Sequence, residues 1–101
     1  MKDKPEVLTE WLVNDDIESL SYLIADLLIK SNYQIIETYH KQWNKDETIV
    51  WVLDEGVAFI RSYNGKEKIF LELSSFNHTK HLQFVILLKN MILQGHKNIL
   101  D

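Results

Sequence analysis

Apolar positions along this chain fall into two different rhythms, and the change of rhythm divides it into elements. Ile17, Leu20, Ile24, Leu27 and Leu28 recur at three- and four-residue steps, which places them on one stripe of a helix. Asn14 or Asp15 can cap that helix, and Glu18, three residues after Asp15, resembles half of a capping box. A second helix is predicted to start near Asn77 or Thr79, run through Leu82, Val85, Ile86, Lys89 and Ile92, and stop at Gly95, the usual residue for a left-handed cap. Lys89 and His96 lie toward its C-terminal end, where positive charge is favoured. Between the helices, Tyr33–Tyr39, Thr48–Leu53, Val57–Tyr63 and Lys68–Leu73 are rich in β-branched and aromatic residues and read as strands. Val7–Val13 supplies a candidate strand at the start.

Asp54-Glu55-Gly56 and Asn64-Gly65 are tight-turn signals, so the last three central strands should form an antiparallel meander. Helices set apart from an antiparallel sheet and covering one of its faces make an α+β fold, a two-layer sandwich with two helices on one face. The other face then needs an occupant. Trp51, Phe59 and Phe70 sit in different strands, and those not under the helices would form a patch suited to a subunit contact.

Composition narrows the function classes. The 101 residues fit one domain, 1–101, with a small core that a dimer would reinforce. With 46% hydrophobic and 26% charged residues, three Gly and one Pro, the chain is expected to be folded apart from its ends. Eleven basic against fifteen acidic residues give a net charge of -4, and no Lys/Arg cluster stands out, which argues against nucleic-acid binding. The longest apolar runs, Ile49–Leu53 and Phe84–Leu88, fall far short of the ~20 residues of a bilayer span. No signal-peptide core follows Met1, so the expectation is a soluble, cytoplasmic protein without membrane partners. The absence of cysteine excludes disulfides and a thiol nucleophile.

The segment Leu53-Asp54-Glu55-Gly56-Val57-Ala58-Phe59-Ile60-Arg61-Ser62-Tyr63 resembles the processing segment of the prokaryotic S-adenosylmethionine decarboxylases, roughly Leu-x-Glu-Ser-His-x-x-Ile-His-Thr-Trp/Tyr-Pro-Glu. Thr38-Tyr39-His40-Lys41-Gln42-Trp43 is similar to that family's Ser-Phe-His-x-Phe stretch, Thr48–Leu53 to its Thr-Gly-Val-Val-Leu-Leu strand, and Lys68–Leu73 to its Tyr-Ala-Ala-Leu-Asp-Ile strand. Residues Thr38 to Phe76 lie on the pattern without insertion. The resemblance implies the family's sandwich fold but not its chemistry. There the chain breaks between Glu and Ser, and the serine becomes a pyruvoyl group that forms a Schiff base with substrate. Here Gly56 stands at the serine, Arg61 at the processing histidine, Phe76 at the catalytic cysteine, Val57 at the next histidine and Asn64-Gly65 at the Pro-Glu. No catalytic residue and no pyruvoyl cofactor are therefore expected. The resemblance implies a pseudoenzyme, a homodimer or a heterodimer with an active decarboxylase, in polyamine metabolism. Glu55, Arg61 and Tyr63 are its candidate wall of a remnant pocket for an adenosyl compound or polyamine.

Plainer readings of the same residues stand beside these. Gly56 fits an ordinary turn glycine. Arg61 fits a solvated strand residue, or one that holds a carboxylate or phosphate. Phe76 is expected in the core, under the second helix. His78 and His81 sit three apart, yet no acidic residue has the spacing of a zinc motif, and no metal is expected. His40 matches a family histidine and fits a hydrogen-bonded structural one equally well. Ser74-Ser75 has no Gly-x-Ser-x-Gly context for a hydrolase. A structural module assembling through its open sheet face is the alternative function.

Overall fold

The computed structural model describes residues 6–12, 17–63 and 68–100, and for 6–12, 68 and 92–100 the backbone only. The elements are β1 (Glu6–Leu12), α1 (Ile17–Lys30), β2 (Ile35–Trp43), β3 (Asp46–Leu53), β4 (Gly56–Ser62), β5 (Lys68–Ser75) and α2 (His78–Leu100). They form the two-layer α+β sandwich. The strands make one sheet in the order β1-β5-β4-β3-β2, antiparallel throughout, so β2 to β5 are a continuous meander and β1 closes the far edge beside β5.

Side-chain alternation assigns the two faces of the sheet. Ile49, Trp51 and Leu53 of β3, Ala58 and Ile60 of β4, and Ile69, Leu71 and Leu73 of β5 are buried and face the helices. α1 adds Ile17, Leu20, Ile24, Leu27 and Leu28, the stripe its spacing predicts. Trp51 thus packs under the helices, at the centre of the core. Burying each such side chain removes apolar surface worth about 1.5–3 kcal/mol at most. Phe59 and Phe70 are half-buried on the opposite face.

α1 ends in a motif its sequence also supports. Asn32 adopts a left-handed conformation (φ 71°), Tyr33 N–H donates to Leu28 O at 3.1 Å and Asn32 N–H to Ile29 O at 2.9 Å. This pairing is a Schellman cap, with Tyr33 and Leu28 buried as its apolar contact. It drops Tyr33 into the core just before β2.

Four expectations need correcting. Gly95 does not end the second helix, which continues to Leu100; no proline follows, and an interior glycine weakens a helix without breaking it. The buried side of α2 is Phe84 and Leu88, with Leu87 and Met91 packed against the core, while Leu82 (47% exposed) and Ile86 (60%) face outward. Apolar residues surround this helix on most sides, so periodicity alone could not select its inner face. β2 runs on to Trp43, where Asn44 (φ 56°) and Lys45 make a two-residue turn into β3. Phe76 is not core: it lies just beyond β5 and is 62% exposed. The candidate caps Asn14 and Asp15 and the Asn64-Gly65 turn lie outside the described residues. Among those residues no helix is long and apolar enough to cross a membrane.

Candidate functional site

The β3–β4 turn has only two residues, Asp54 and Glu55, between the paired Leu53 and Gly56. Gly56 also pairs with Ser75 across β4 and β5. Its φ is 152°, and a β-carbon there would overlap the Ser74 carbonyl oxygen and approach the Ser75 Cα to 3.0 Å. Only glycine fits so close an approach of two backbones. Phe76 N–H donates to Glu55 O at 3.0 Å, which brings residues 55 and 56 beside 75 and 76.

Around this contact the side chains form a polar junction between the sheet and α2. Asn77 caps α2, its Oδ1 accepting from Lys80 N–H at 3.0 Å. The same side chain turns its Nδ2 toward the Glu55 carboxylate at 3.2 Å. Lys80 Nζ lies 2.7 Å from Glu55 and 3.2 Å from Asp54, with its ammonium 5.5 Å from the centre of the Tyr33 ring. Asp54 also accepts from Gln34 N–H at 3.1 Å, tying the turn to the start of β2. Below, the Tyr33 and Ser75 hydroxyls share a hydrogen bond, and Ser75 Oγ accepts from Asn77 N–H at 3.2 Å.

The electrostatics follow from these contacts. The Lys80 ammonium and then Asn77 hold the Glu55 carboxyl below the usual carboxylate range. The Gln34 amide, then Lys80, does the same for Asp54. The Lys80 ammonium is raised, chiefly by its hydrogen bond to Glu55. Burial pushes the Tyr33 phenol up. Each of these groups has a partner, so the junction clamps the β3–β4 turn to the start of α2. Ser75 Oγ is engaged by Tyr33, Asn77 and the Glu55 carbonyl, with no histidine among its bonded partners in the described residues.

The three residues expected to share one remnant pocket divide between two places. Glu55 belongs to the junction. Arg61 and Tyr63 lie at the other end of β4, about 20 Å away along an extended strand, on the face turned from the helices. There Arg61 Nη1 donates to Tyr63 Oη at 2.9 Å and Nε to Thr48 Oγ1 at 3.3 Å. Of the three positions where the resemblance would put chemistry, Gly56 and Phe76 are neighbours and Arg61 is remote from both. His40 is exposed near the β2–β3 end of the sheet, with Nε2 2.5 Å from Glu47 Oε2. His78 and His81 join no group of three or more His, Cys, Asp or Glu side chains among the described residues.

Sequence reading missed Tyr33, Ser75 and Lys80 as partners. The Asn77 cap was the available signal, because a lysine at the third helical position points back over the residue that precedes the helix. Nothing local marked Tyr33, which meets Ser75 only through the sheet.

No family model matches this chain, and no curated protein matches it. Among solved structures, the adenosylmethionine decarboxylase from Aquifex aeolicus VF5 aligns over 72% of this chain and 64% of that one, with a TM-score of 0.55 and 15% sequence identity. The match therefore spans less than two thirds of that enzyme's chain. At this identity the likeness establishes a shared fold.

Proposed function

We propose that this chain is a non-catalytic protein on an adenosylmethionine decarboxylase-like scaffold. It acts in the cytoplasm as a regulatory subunit of an active decarboxylase, or as a sensor of an adenosyl compound or polyamine. The observation that carries this reading is Gly56. The resemblance places a self-processing nucleophile there, and the backbone leaves no room for any side chain. A neighbour of the same fold supports the frame, and the adjacency of residues 55–56 with 75–76 supports the register in which the serine and cysteine are replaced. Without a hydroxyl at position 56 the residue cannot become a pyruvoyl group.

Thermal denaturation with S-adenosylmethionine, its decarboxylated form, putrescine and spermidine tests the sensor role. Ligand at 100 times its dissociation constant adds about 2.7 kcal/mol, a rise of roughly ten degrees or more for a domain this size. Co-expression with an active decarboxylase tests the subunit role through co-purification and altered turnover. Denaturing mass spectrometry should return one uncut chain; fragments parting between Glu55 and Gly56 would overturn the reading. If no ligand shifts the midpoint and no decarboxylase is retained, the second reading takes over, an assembly module using the open sheet face. The half-buried Phe59 and Phe70 and the exposed Val57 and Tyr63 on that face favour it.

A further inference from the structure

Arg61 is the chain's only arginine, and its surroundings on the open sheet face are organised around it. The register sets it on β4 between Thr48 of β3 and Phe70 of β5. Its guanidinium carbon lies 5.1 Å from the centre of the Phe59 ring and 5.7 Å from that of Tyr63. Tyr63 is braced in turn, meeting Phe70 edge-on at 5.8 Å and 71°. Two aromatic rings and two hydroxyls thus hold one cation in a single orientation. Its rotamer entropy is already spent before any ligand arrives.

A guanidinium carries five N–H donors, and the bonds to Thr48 Oγ1 and Tyr63 Oη use two. Among the described residues these bonded partners are neutral hydroxyls rather than carboxylates. A half-buried cation with its orientation set, and with no carboxylate bonded to it among the described residues, is a receptor for one. The planar fork matches the two oxygens of a carboxylate, and the ring surfaces beside it favour a ligand whose remaining body is flat and apolar.

We propose that Arg61, Thr48, Phe59, Tyr63 and Phe70 form a binding site for a small carboxylate carried on an apolar ring. The site lies about 20 Å along β4 from the Glu55 junction and does not depend on the pseudoenzyme reading. The carboxylate seats on the free edge of the Arg61 guanidinium, and its ring lies against Phe59 and Phe70.

Benzoate is the probe, titrated into the full chain at constant ionic strength and followed by amide chemical shifts, with benzamide and inorganic phosphate as comparators. Saturable benzoate shifts at residues 48, 59, 61, 63 and 70, without a benzamide response, are expected. Arg61→Lys keeps the charge but loses the fork and should weaken binding about tenfold or more. Thr48→Val frees the Nε–H and should weaken it roughly threefold. Amide spectra confirm that each variant is folded, and Thr48→Val carries the test if substitution of Arg61 disrupts the sheet. The proposal is overturned by no saturable benzoate response, an equal benzamide response, phosphate binding in place of benzoate, or unchanged affinity in folded variants.

Discussion

A β-carbon at position 56 meets the Ser74 carbonyl oxygen from a backbone held at φ 152°, so the residue type there is dictated by how closely β4 and β5 approach. Steric overlap and dihedral strain each cost about 1–3 kcal/mol, so Gly56→Ala and Gly56→Ser should both lose roughly 2–6 kcal/mol. Thermal midpoints read by circular dichroism should fall by about 10 °C or more in each case. The serine variant should also remain uncut in denaturing mass spectrometry. A Gly56→Ser protein with the wild-type midpoint would show that the strands can part and that this account of Gly56 is wrong. Phe76, twenty positions on, gives the opposite result. It was expected in the core, where truncation costs about 3–5 kcal/mol, yet its exposed position predicts a Phe76→Ala loss under about 0.5 kcal/mol. Urea denaturation followed by circular dichroism separates those two values. Sequence position made these residues comparable to a known motif; only the paired strands reveal that one is sterically fixed and the other free.

Elements were legible where the apolar spacing is unbroken. α1 declared its buried stripe residue by residue because Ile17, Leu20, Ile24, Leu27 and Leu28 follow one another at helical steps, whereas its outward Tyr22, Leu23 and Ile29 are exposed beside Glu18, Asp26 and Lys30. α2 did not, since Leu82, Val85 and Ile86 compete with Phe84, Leu87 and Leu88, and the sheet rather than the period decides between them. β2 was read too short for a related reason. Beyond Tyr39 come the polar, exposed His40, Lys41 and Gln42, so only pairing with β3 and the Asn44 turn extend it to the exposed Trp43. The continuation of α2 through Gly95 carries its own prediction. Interior glycine is about 0.8–1.0 kcal/mol worse than alanine, so Gly95→Ala should raise the midpoint by several degrees. If Gly95 were instead a left-handed cap, alanine would lower it. Asn32 supplies the matching control, because that residue does hold a left-handed conformation at the end of α1. Asn32→Gly should be near neutral, and Asn32→Ala should cost about 1 kcal/mol.

At the scale of the molecule, the two layers could be read from the order of elements, whereas the junction that joins them could not. Asp54, Glu55, Asn77 and Lys80 are brought together by the register of β3, β4 and β5 and by the start of α2, and Tyr33 arrives from the end of α1. That convergence ties one end of the sheet to both helices, so its charges should govern how the whole fold responds to pH. The folded protein holds the Asp54 and Glu55 carboxyls below their ordinary value near 4. Their stabilisation is complete above that value and is lost as pH falls through the lower folded values, because the unfolded chain then binds protons first. Lys80 and Tyr33 are raised, so their contributions persist below the ordinary values near 10 and fade as pH climbs past them. Midpoints measured from pH 2 to 11 should therefore form a plateau with a fall at each end. Lys80→Met removes the largest influence on Glu55 but leaves Asp54 its first partner, the Gln34 amide. The acid fall should become shallower without disappearing, and the alkaline fall should keep the shares of Tyr33 and of Tyr39, whose phenol the Glu37 carboxylate raises. Parallel acid limbs in wild type and Lys80→Met would mean that the junction does not couple the layers, and that the acid sensitivity arises elsewhere in the sheet.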